Sequence, residues 1–254
     1  MIARAILIGW LRLEANARGS GRKRFLRLLA FCLFLRPGEA AAQVGVVASV
    51  FTDDRFQGIS VSDGRPVAVL DLSYDAPSGL YGSASGSLVA TQDDGPKALG
   101  LVLNAGYARQ LRPGLTADVG VLHSHYSHYS GLAGGHDYTE VYAGISGRLL
   151  GARLSVSPNY LGTALGTVRG EVNGHVSLTP KLSLEGQLGL LAPVGRGAYG
   201  PGPRVQADAR IGVAQRLGRF ALHAALTAAT NRAAIYSGRK HSRTAFVIGI
   251  SARL

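Results

Sequence analysis

Apolar and polar residues alternate along most of this chain, from about residue 44 to its end. The last segment shows the pattern most plainly, because one of its faces would carry only apolar side chains: Phe246, Ile248, Ile250, Ala252 and Leu254. A period of two predicts β-strands, since successive side chains of a strand point to opposite sides of the sheet. The sequence therefore predicts an all-β fold whose strands have one apolar face and one more polar face.

Turns that contain proline or glycine divide this pattern into about twelve strands. The strands are predicted near residues 44–57, 66–76, 79–91, 98–110, 115–127, 138–149, 152–160, 167–178, 182–192, 204–216, 219–229 and 242–254. Tight turns, as at 77–79 and 112–114, alternate with longer polar segments, at 57–65, 91–97, 128–137, 161–166, 193–203 and 230–241. Short turns on one side, longer loops on the other and an even strand number are typical of bacterial outer-membrane barrels. We therefore expect a transmembrane antiparallel up-and-down β-barrel whose longer loops face outward.

The distribution of apolar residues supports a barrel over membrane helices. The sequence contains no uninterrupted apolar run of the roughly 18 residues that a membrane helix needs. A membrane protein built of strands must then close into a barrel, because lipid cannot satisfy an open sheet edge. The alternation places Leu99, Leu101, Leu188 and Tyr160 on the lipid side. The tyrosines, which fall mostly near strand ends, predict an aromatic girdle at the membrane interfaces.

The first 42 residues have the order of a secretory signal peptide. Basic residues at 22–24 precede a short apolar stretch at 25–35, which has Arg27 in its first turn, and the small residues Ala40, Ala41 and Ala42 follow. We expect cleavage before Gln43, which leaves residues 43–254 as a single barrel domain. Cys32, the only cysteine, would leave with the signal peptide, so the mature chain would contain no disulfide.

The net charge of the chain limits which binding partners we expect. The net charge of +12 falls to +6 once residues 1–42 are removed, which does not indicate a nucleic-acid binder. Basic loops near the outer leaflet would meet lipopolysaccharide phosphates. The expected partners are therefore outer-membrane lipids and lipopolysaccharide, the barrel-assembly machinery and small solutes. The sequence gives no indication of oligomeric state and no motif for a cofactor.

Charged residues of the strands fall almost entirely on the face opposite the apolar one. The candidate pore-lining residues are Asp71, Asp118, Arg153, Arg169, Glu171, Glu185, Asp208 and Arg210. A Lys or Arg on the lipid side would cost about 2–4 kcal/mol at mid-depth, so this sorting itself favours a barrel. Two alternatives stay open at this point. The charges line a pore and set its selectivity, or they form a paired network that fills a narrow lumen.

Three stretches of the sequence resemble the TorF family of proteobacterial outer-membrane barrels, whose members are classed as porins. The first is Thr52–Ser60 followed by 62–66, with the motif residues Arg55, Gly58, Ser60, Ser62, Asp63 and Gly64. The other two are Asp137–Tyr142 and Val156–Gly162. Their order and spacing match over roughly residues 46–250, although the family often has an aromatic residue where Asp54 stands. The resemblance implies an outer-membrane channel and identifies no solute.

A histidine-rich stretch is the one conspicuous local cluster. His123 and His125 share a strand face and could bind a metal ion, but a polar strand end at the outer rim is the favoured explanation. His-x-Ser occurs twice from His125, and Glu140 follows, which is the composition of a hydrolytic triad. The alternation separates His125 from Glu140, so no catalytic or metal site is assigned. The glycine-rich stretches 131–135 and 195–202 lack the strand-to-helix context of a phosphate-binding loop.

These observations predict a porin-like channel for passive diffusion of small hydrophilic solutes or ions in the outer membrane of a Gram-negative bacterium. The alternatives are a non-conducting structural or surface-interaction barrel with a charge-filled lumen and, third, a barrel-borne lipid hydrolase.

Overall fold

The computed structural model describes residues 42–92, 95–130, 136–162, 166–194, 205–230 and 244–254. Its strands are β1 (Gln43–Phe51), β2 (Arg55–Phe56), β3 (Ile59–Ser60), β4 (Val67–Asp75), β5 (Leu80–Thr91), β6 (Gly95–Arg112), β7 (Leu115–Tyr126), β8 (His136–Ser146), β9 (Leu150–Ser157), β10 (Gly166–Ser177), β11 (Leu182–Val194), β12 (Gln206–Leu217), β13 (Phe220–Ala229) and β14 (Thr244–Arg253). All strands except β2 and β3 pair antiparallel in one closed barrel, in which β1 contacts both β4 and β14. The prediction of a closed twelve-stranded antiparallel barrel is confirmed.

The outside of this barrel carries a continuous apolar surface. Its exposed large side chains follow the predicted alternation on nearly every strand, as Leu72, Val119, Leu154, Leu188, Ile211 and Ile248 illustrate. No helix in the described ranges is long and apolar enough to cross a membrane. Exposed aliphatic side chains on every side of a closed sheet indicate a surface that another apolar phase must cover.

The connection between β1 and β4, residues 52–66, folds into the barrel; we call it the luminal segment. It contains a small separate hairpin, β2–β3, in which Arg55 pairs with Ser60 and Phe56 with Ile59. Ile59 and Val61 are buried against inward side chains from the walls, among them Leu99, Tyr138 and Leu191. The apolar core of the protein therefore lies inside the barrel, around this segment.

Simple dimensions explain why such a segment fits. Twelve strands about 4.8 Å apart, tilted by about 40°, close into a barrel with a backbone diameter of about 24 Å. Sheets that pack face to face lie about 10 Å apart, so a hairpin between two opposite walls needs about 20 Å. One thin hairpin therefore fills most of the width of a lumen that would otherwise be an open, water-filled hole.

The polar segment 57–65, expected as an outward-facing loop, lies inside the barrel instead. Three further sequence predictions about individual segments are also wrong. Leu99 is fully buried, because the pairing of β5 with β6 shifts register between Ser87 and Leu88 and a bulge turns Leu99 inward. Tyr160 is buried in a 3₁₀ turn beyond the end of β9. The stretch 91–97 is not a long loop, because β5 extends to Thr91 and β6 begins at Gly95.

The aromatic girdle is only partly present. Tyr74 and Tyr107 are exposed on the outside of the barrel. Tyr126, Tyr138 and Tyr142 instead are buried on the inside. Tyr199 and Tyr236 lie outside the described residues, as do the predicted signal peptide up to residue 41 and both glycine-rich stretches.

Candidate functional site in the barrel lumen

The luminal segment is held in shape by one buried carboxylate. Asp53 Oδ1 accepts hydrogen bonds from the hydroxyls of Ser60 (2.5 Å) and Ser62 (2.7 Å), and Asp53 Oδ2 accepts one from Arg55 Nη1 (2.9 Å). Arg55 Nη2 also donates to the carbonyl of Gly58 at 2.6 Å. Charge-assisted hydrogen bonds of this kind are stronger than neutral ones, so Asp53 ties both strands of the hairpin together.

The tip of the hairpin requires glycine for two reasons. Gln57 and Gly58 both have positive φ, 49° and 76°, as a two-residue type I′ turn demands. A side chain at Gly58 would begin 2.7 Å from the carbonyl oxygen of Ala228 and 2.9 Å from Cβ of Ala229. The tip therefore lies directly against β13.

The three stretches that carry the family resemblance meet at this segment. The ring of Phe56 packs against the rings of Tyr126 (6.0 Å between centroids) and Tyr138 (5.7 Å). Tyr160 Oη donates to Gln57 Oε1 at 2.6 Å, and its ring lies 5.4 Å from that of Tyr138. Arg65 adds a tie from the segment to the β7–β8 connection, because its Nη2 donates to the carbonyl of Tyr129 at 2.8 Å.

The motif residues therefore have structural positions within the luminal segment. Arg55 and Gly58 shape the hairpin, as described above. Ser60 and Ser62 bind Asp53, and Ser60 Oγ also accepts the backbone N–H of Gly64 at 2.9 Å. Asp63 and Gly64 both have positive φ, at the turn that leads into β4.

Below the hairpin, charged side chains form a row around part of the wall. Successive paired positions on β7 to β12 hold four charged residues and two glycines: Asp118, Gly144, Arg153, Glu171, Gly189 and Asp208. Paired positions share a face of the sheet, so all of these point inward. The side chains of Arg153 and Asp118 approach to 3.6 Å, and the guanidinium of Arg153 lies over the ring of Tyr142.

Arg169 forms the strongest pair of the lumen. Its Nη1 and Nη2 atoms donate to the two carboxylate oxygens of Asp208, at 2.5 and 3.0 Å, and Nη2 also reaches Glu171 at 3.2 Å. Arg169 lies on β10 and Asp208 on β12, so the guanidinium crosses β11. It can do so because Gly189 stands there: a Cβ at that position would lie 2.5 Å from Cζ of Arg169. Both side chains are buried, with 7% and 8% of their surfaces exposed.

The remaining predicted pore-lining residues face the lumen without such pairing. Arg210 lies between Gln187 and Thr227 of the neighbouring strands, one inward position below Asp208. Glu185 is further toward the short turns, 4.0 Å from the ring of His175, and both are well exposed. Asp71 is half-buried and lies on the inward face of β4. The lumen is thus filled at the end with the long connections and accessible toward the short turns.

Sequence reasoning missed the inward tyrosines. Tyr81 Oη donates to Asp118 Oδ2 at 3.0 Å and lies 2.6 Å from Tyr142 Oη, which is itself 2.7 Å from Asn104 Oδ1. The signal was present, because the alternation that turns Glu140 inward also turns Tyr138 and Tyr142 inward. These hydroxyls extend the polar network beyond the charged residues.

One carboxyl of the luminal segment is set to titrate near neutral pH. Asp54 belongs to the connection rather than to a strand of the barrel. Burial, followed by the nearby Asp53 carboxylate and the more distant Asp71, raises its pKa to about 6. A raised pKa means that the packed segment favours protonated Asp54. The resulting stabilisation is complete below the ordinary pKa of an aspartate and is lost as pH rises through 6.

We therefore predict that the segment opens more readily at pH 8 than at pH 5. Amide hydrogen exchange of residues 52–66, corrected for the intrinsic rate at each pH, measures this directly. The Asp54→Asn variant should remove the dependence, because its side chain cannot ionise. An unchanged pH profile in that variant would assign the effect to another group.

The histidine-rich stretch lies on the other side of the wall. His123 and His125 are exposed on the outside, where His123 Nδ1 lies 2.9 Å from Thr139 Oγ1 and His125 Nδ1 contacts the carboxylate of Asp137. Glu140 faces the lumen, away from His125. In the part of the chain that the structure describes, no three His, Cys, Asp or Glu residues are grouped for a metal ion.

Comparisons with known proteins agree with the fold. The NanC porin structure has a TM-score of 0.58 at 14% identity, covering 84% of this chain and 100% of that one. The KdgM porin has a TM-score of 0.50 at 10% identity, covering 82% and 98%. An outer-membrane channel from Pseudomonas putida F1 has a TM-score of 0.48 at 14% identity, covering 87% and 100%. Among curated proteins, none matches the sequence.

A family model also matches the sequence, over residues 37–250. Its description is that of a bacterial protein of unknown function, Gcw_chp. The resemblance to the TorF family stays a prediction beside this match. Because the match spans most of the sequence, the chain belongs to the Gcw_chp family.

Proposed function

We propose that the protein is an outer-membrane channel for passive diffusion of small hydrophilic solutes or ions, with its constriction at the luminal segment. The observation that carries this proposal is a lumen lined by charged and polar side chains that are accessible at one end, with Asn173, His175 and Glu185 well exposed inside the barrel. Charged rings of this kind set ion preference in pores. The names of two similar solved structures, NanC porin and KdgM porin, agree with it.

An outer-membrane position accounts for the apolar exterior. The mature chain would reach it by export with residues 1–42 as signal peptide, followed by insertion by the barrel-assembly machinery. The longer connections would then face the cell exterior and its lipopolysaccharide, and the short turns the periplasm.

Replacing Leu188 by arginine tests the lipid-facing wall. Leu188 is 65% exposed on the outside of β11, where a charge would cost about 2–4 kcal/mol in lipid. We expect the Leu188→Arg variant to give less folded, heat-modifiable barrel in outer-membrane fractions. Gln187→Arg is the matched control, because the adjacent residue faces the lumen and its Nε2 already lies 2.8 Å from Glu171. Equal yields from the two variants would contradict the proposed membrane orientation.

Planar-bilayer recording of the protein purified from outer membranes tests conduction itself. We expect stable single channels in potassium chloride. Heat-modifiable, fully folded protein that produces no channels would overturn the proposal.

The second candidate is a non-conducting barrel used for structure or surface interaction. The buried cluster around the luminal segment favours it, since Tyr138, Tyr160 and Ile59 are almost fully enclosed. The lipid hydrolase has weaker support: His125 contacts Asp137, but the nearby Ser127 hydroxyl donates to the carbonyl of Ala98 at 2.6 Å. Turnover of lipid A or phospholipid by the purified protein would test it.

A further inference from the structure

A cavity of about 300 Å³ lies directly below the hairpin tip. The tip forms one side of it with Arg55, Phe56, Gln57 and Gly58. Inward residues of the wall form the other sides, from Val102 on β6 to Thr227 on β13. Ligand pockets begin at about this size, so the space suits a small solute.

Three of the four arginines that line this cavity are ion-paired, and Arg210 is the exception. The paired arginines are Arg55 with Asp53, Arg153 with Asp118, and Arg169 with Asp208 and Glu171. Glu140 has Arg153 and Arg169 close by and a hydrogen bond from Ser155. Arg210 has no hydrogen bond or ion pair with any described residue, and its side chain is exposed to the cavity.

The surroundings of Arg210 suit a hydroxylated anion. A free guanidinium binds a carboxylate through two parallel hydrogen bonds. On either side, the Gln187 amide and the Thr227 hydroxyl occupy the same face of the neighbouring strands. Gln187 uses its Nε2 on Glu171, which leaves its carbonyl oxygen to accept a hydrogen bond from a solute hydroxyl.

We propose that this cavity binds a small hydroxylated monocarboxylate, with the carboxylate on the Arg210 guanidinium. The carboxylate would bind the one arginine of the lining that has no ion pair with a described residue. The cavity lies at the constriction of the proposed channel, so the assignment rests on the proposed function and names the class of solute that the channel would take.

Gluconate is the probe, and sorbitol, which has similar hydroxyl groups but no charge, is the control solute. We expect gluconate to reduce the single-channel current in a concentration-dependent manner and sorbitol to leave it unchanged. Arg210→Gln should weaken the gluconate block at least tenfold. The matched control is Arg216→Gln: this arginine lies on the same face of β12, roughly 20 Å nearer the short turns, and does not line the cavity.

Calorimetric titration of the folded barrel in detergent measures the same binding without conduction. The protein could bind gluconate, lose that binding in Arg210→Gln, and yet form no channels. That result would contradict the proposed channel function but support the binding site. If the protein forms channels but gluconate neither binds to it nor blocks them, the binding site is contradicted and the channel function is still supported. If Arg210→Gln and Arg216→Gln weaken gluconate binding equally, the effect comes from the general charge of the lumen. The proposed site would then be contradicted as well.

Discussion

Replacing Arg169 by glutamine is expected to destabilise the barrel by about 3–5 kcal/mol, because it leaves the carboxylate of Asp208 buried without its partner. The side chain of Asp208 is only 8% exposed, so water cannot replace the two lost hydrogen bonds in the folded state. Chemical unfolding in detergent, followed by circular dichroism and by heat-modifiability on gels, measures the loss. The only tryptophan, Trp10, lies in the predicted signal peptide, so its fluorescence is no substitute.

Two further variants separate a buried charge from a general effect of removing arginine. Arg210→Gln removes the same charge from the same lumen at an unpaired, exposed position, and should change the free energy of unfolding by less than about 0.5 kcal/mol. Adding Asp208→Asn to Arg169→Gln should restore much of the loss, because a neutral amide is cheaper to bury than a lone carboxylate. Similar unfolding of Arg169→Gln and Arg210→Gln would mean that the pair contributes no net stability.

The strand pattern could be predicted because an apolar exterior and a polar lumen impose a strict alternation. Val119 and Val121 lie outside and Asp118 inside, as their spacing indicates. The alternation fails where the backbone departs from regular pairing. Leu99 turns inward at a bulge, and nothing in the local sequence predicts that bulge.

The candidate site was harder to predict, since it depends on contacts between distant parts of the chain. Arg169 and Asp208 are separated by a whole strand, and their pairing depends on Gly189, which resembles any other strand glycine in the sequence. From the alternation alone, Arg169 and Arg210 are equivalent, because both are charged residues on the inward face. The structure distinguishes them, because Arg169 is buried in a pair and Arg210 has no ion pair with any residue that the structure describes.

The alternation of apolar and polar residues also does not predict that the luminal segment lies inside the barrel. Polar residues at 57–65 suggest a solvated outer loop, yet Ser60 and Ser62 are buried. Their hydroxyls are satisfied within the segment by Asp53, so the segment carries its own hydrogen-bonding partners into the lumen. A loop can enter a barrel when its polar groups are paired internally.

Removing the luminal segment should then open the barrel, and we expect a several-fold increase in single-channel conductance. The strands themselves permit the deletion, because β1 and β4 remain paired up to Phe51 and Val67. A two-residue Asn-Gly turn can therefore replace residues 52–66 without changing register. The charged row on the wall would stay, so ion preference should persist while the path widens.

A point variant provides the matched comparison. Asp53→Ala keeps the length of the segment but removes the carboxylate that binds Arg55, Ser60 and Ser62, so we expect fluctuating currents between the wild-type and deleted levels. Both variants must first show the folded, heat-modifiable band. If the deletion leaves a folded barrel with wild-type conductance, the segment does not form the constriction, and the buried charge network of the wall must do so instead. If the deletion conducts but the wild-type protein does not, the segment is a plug, and the non-conducting function becomes the better account.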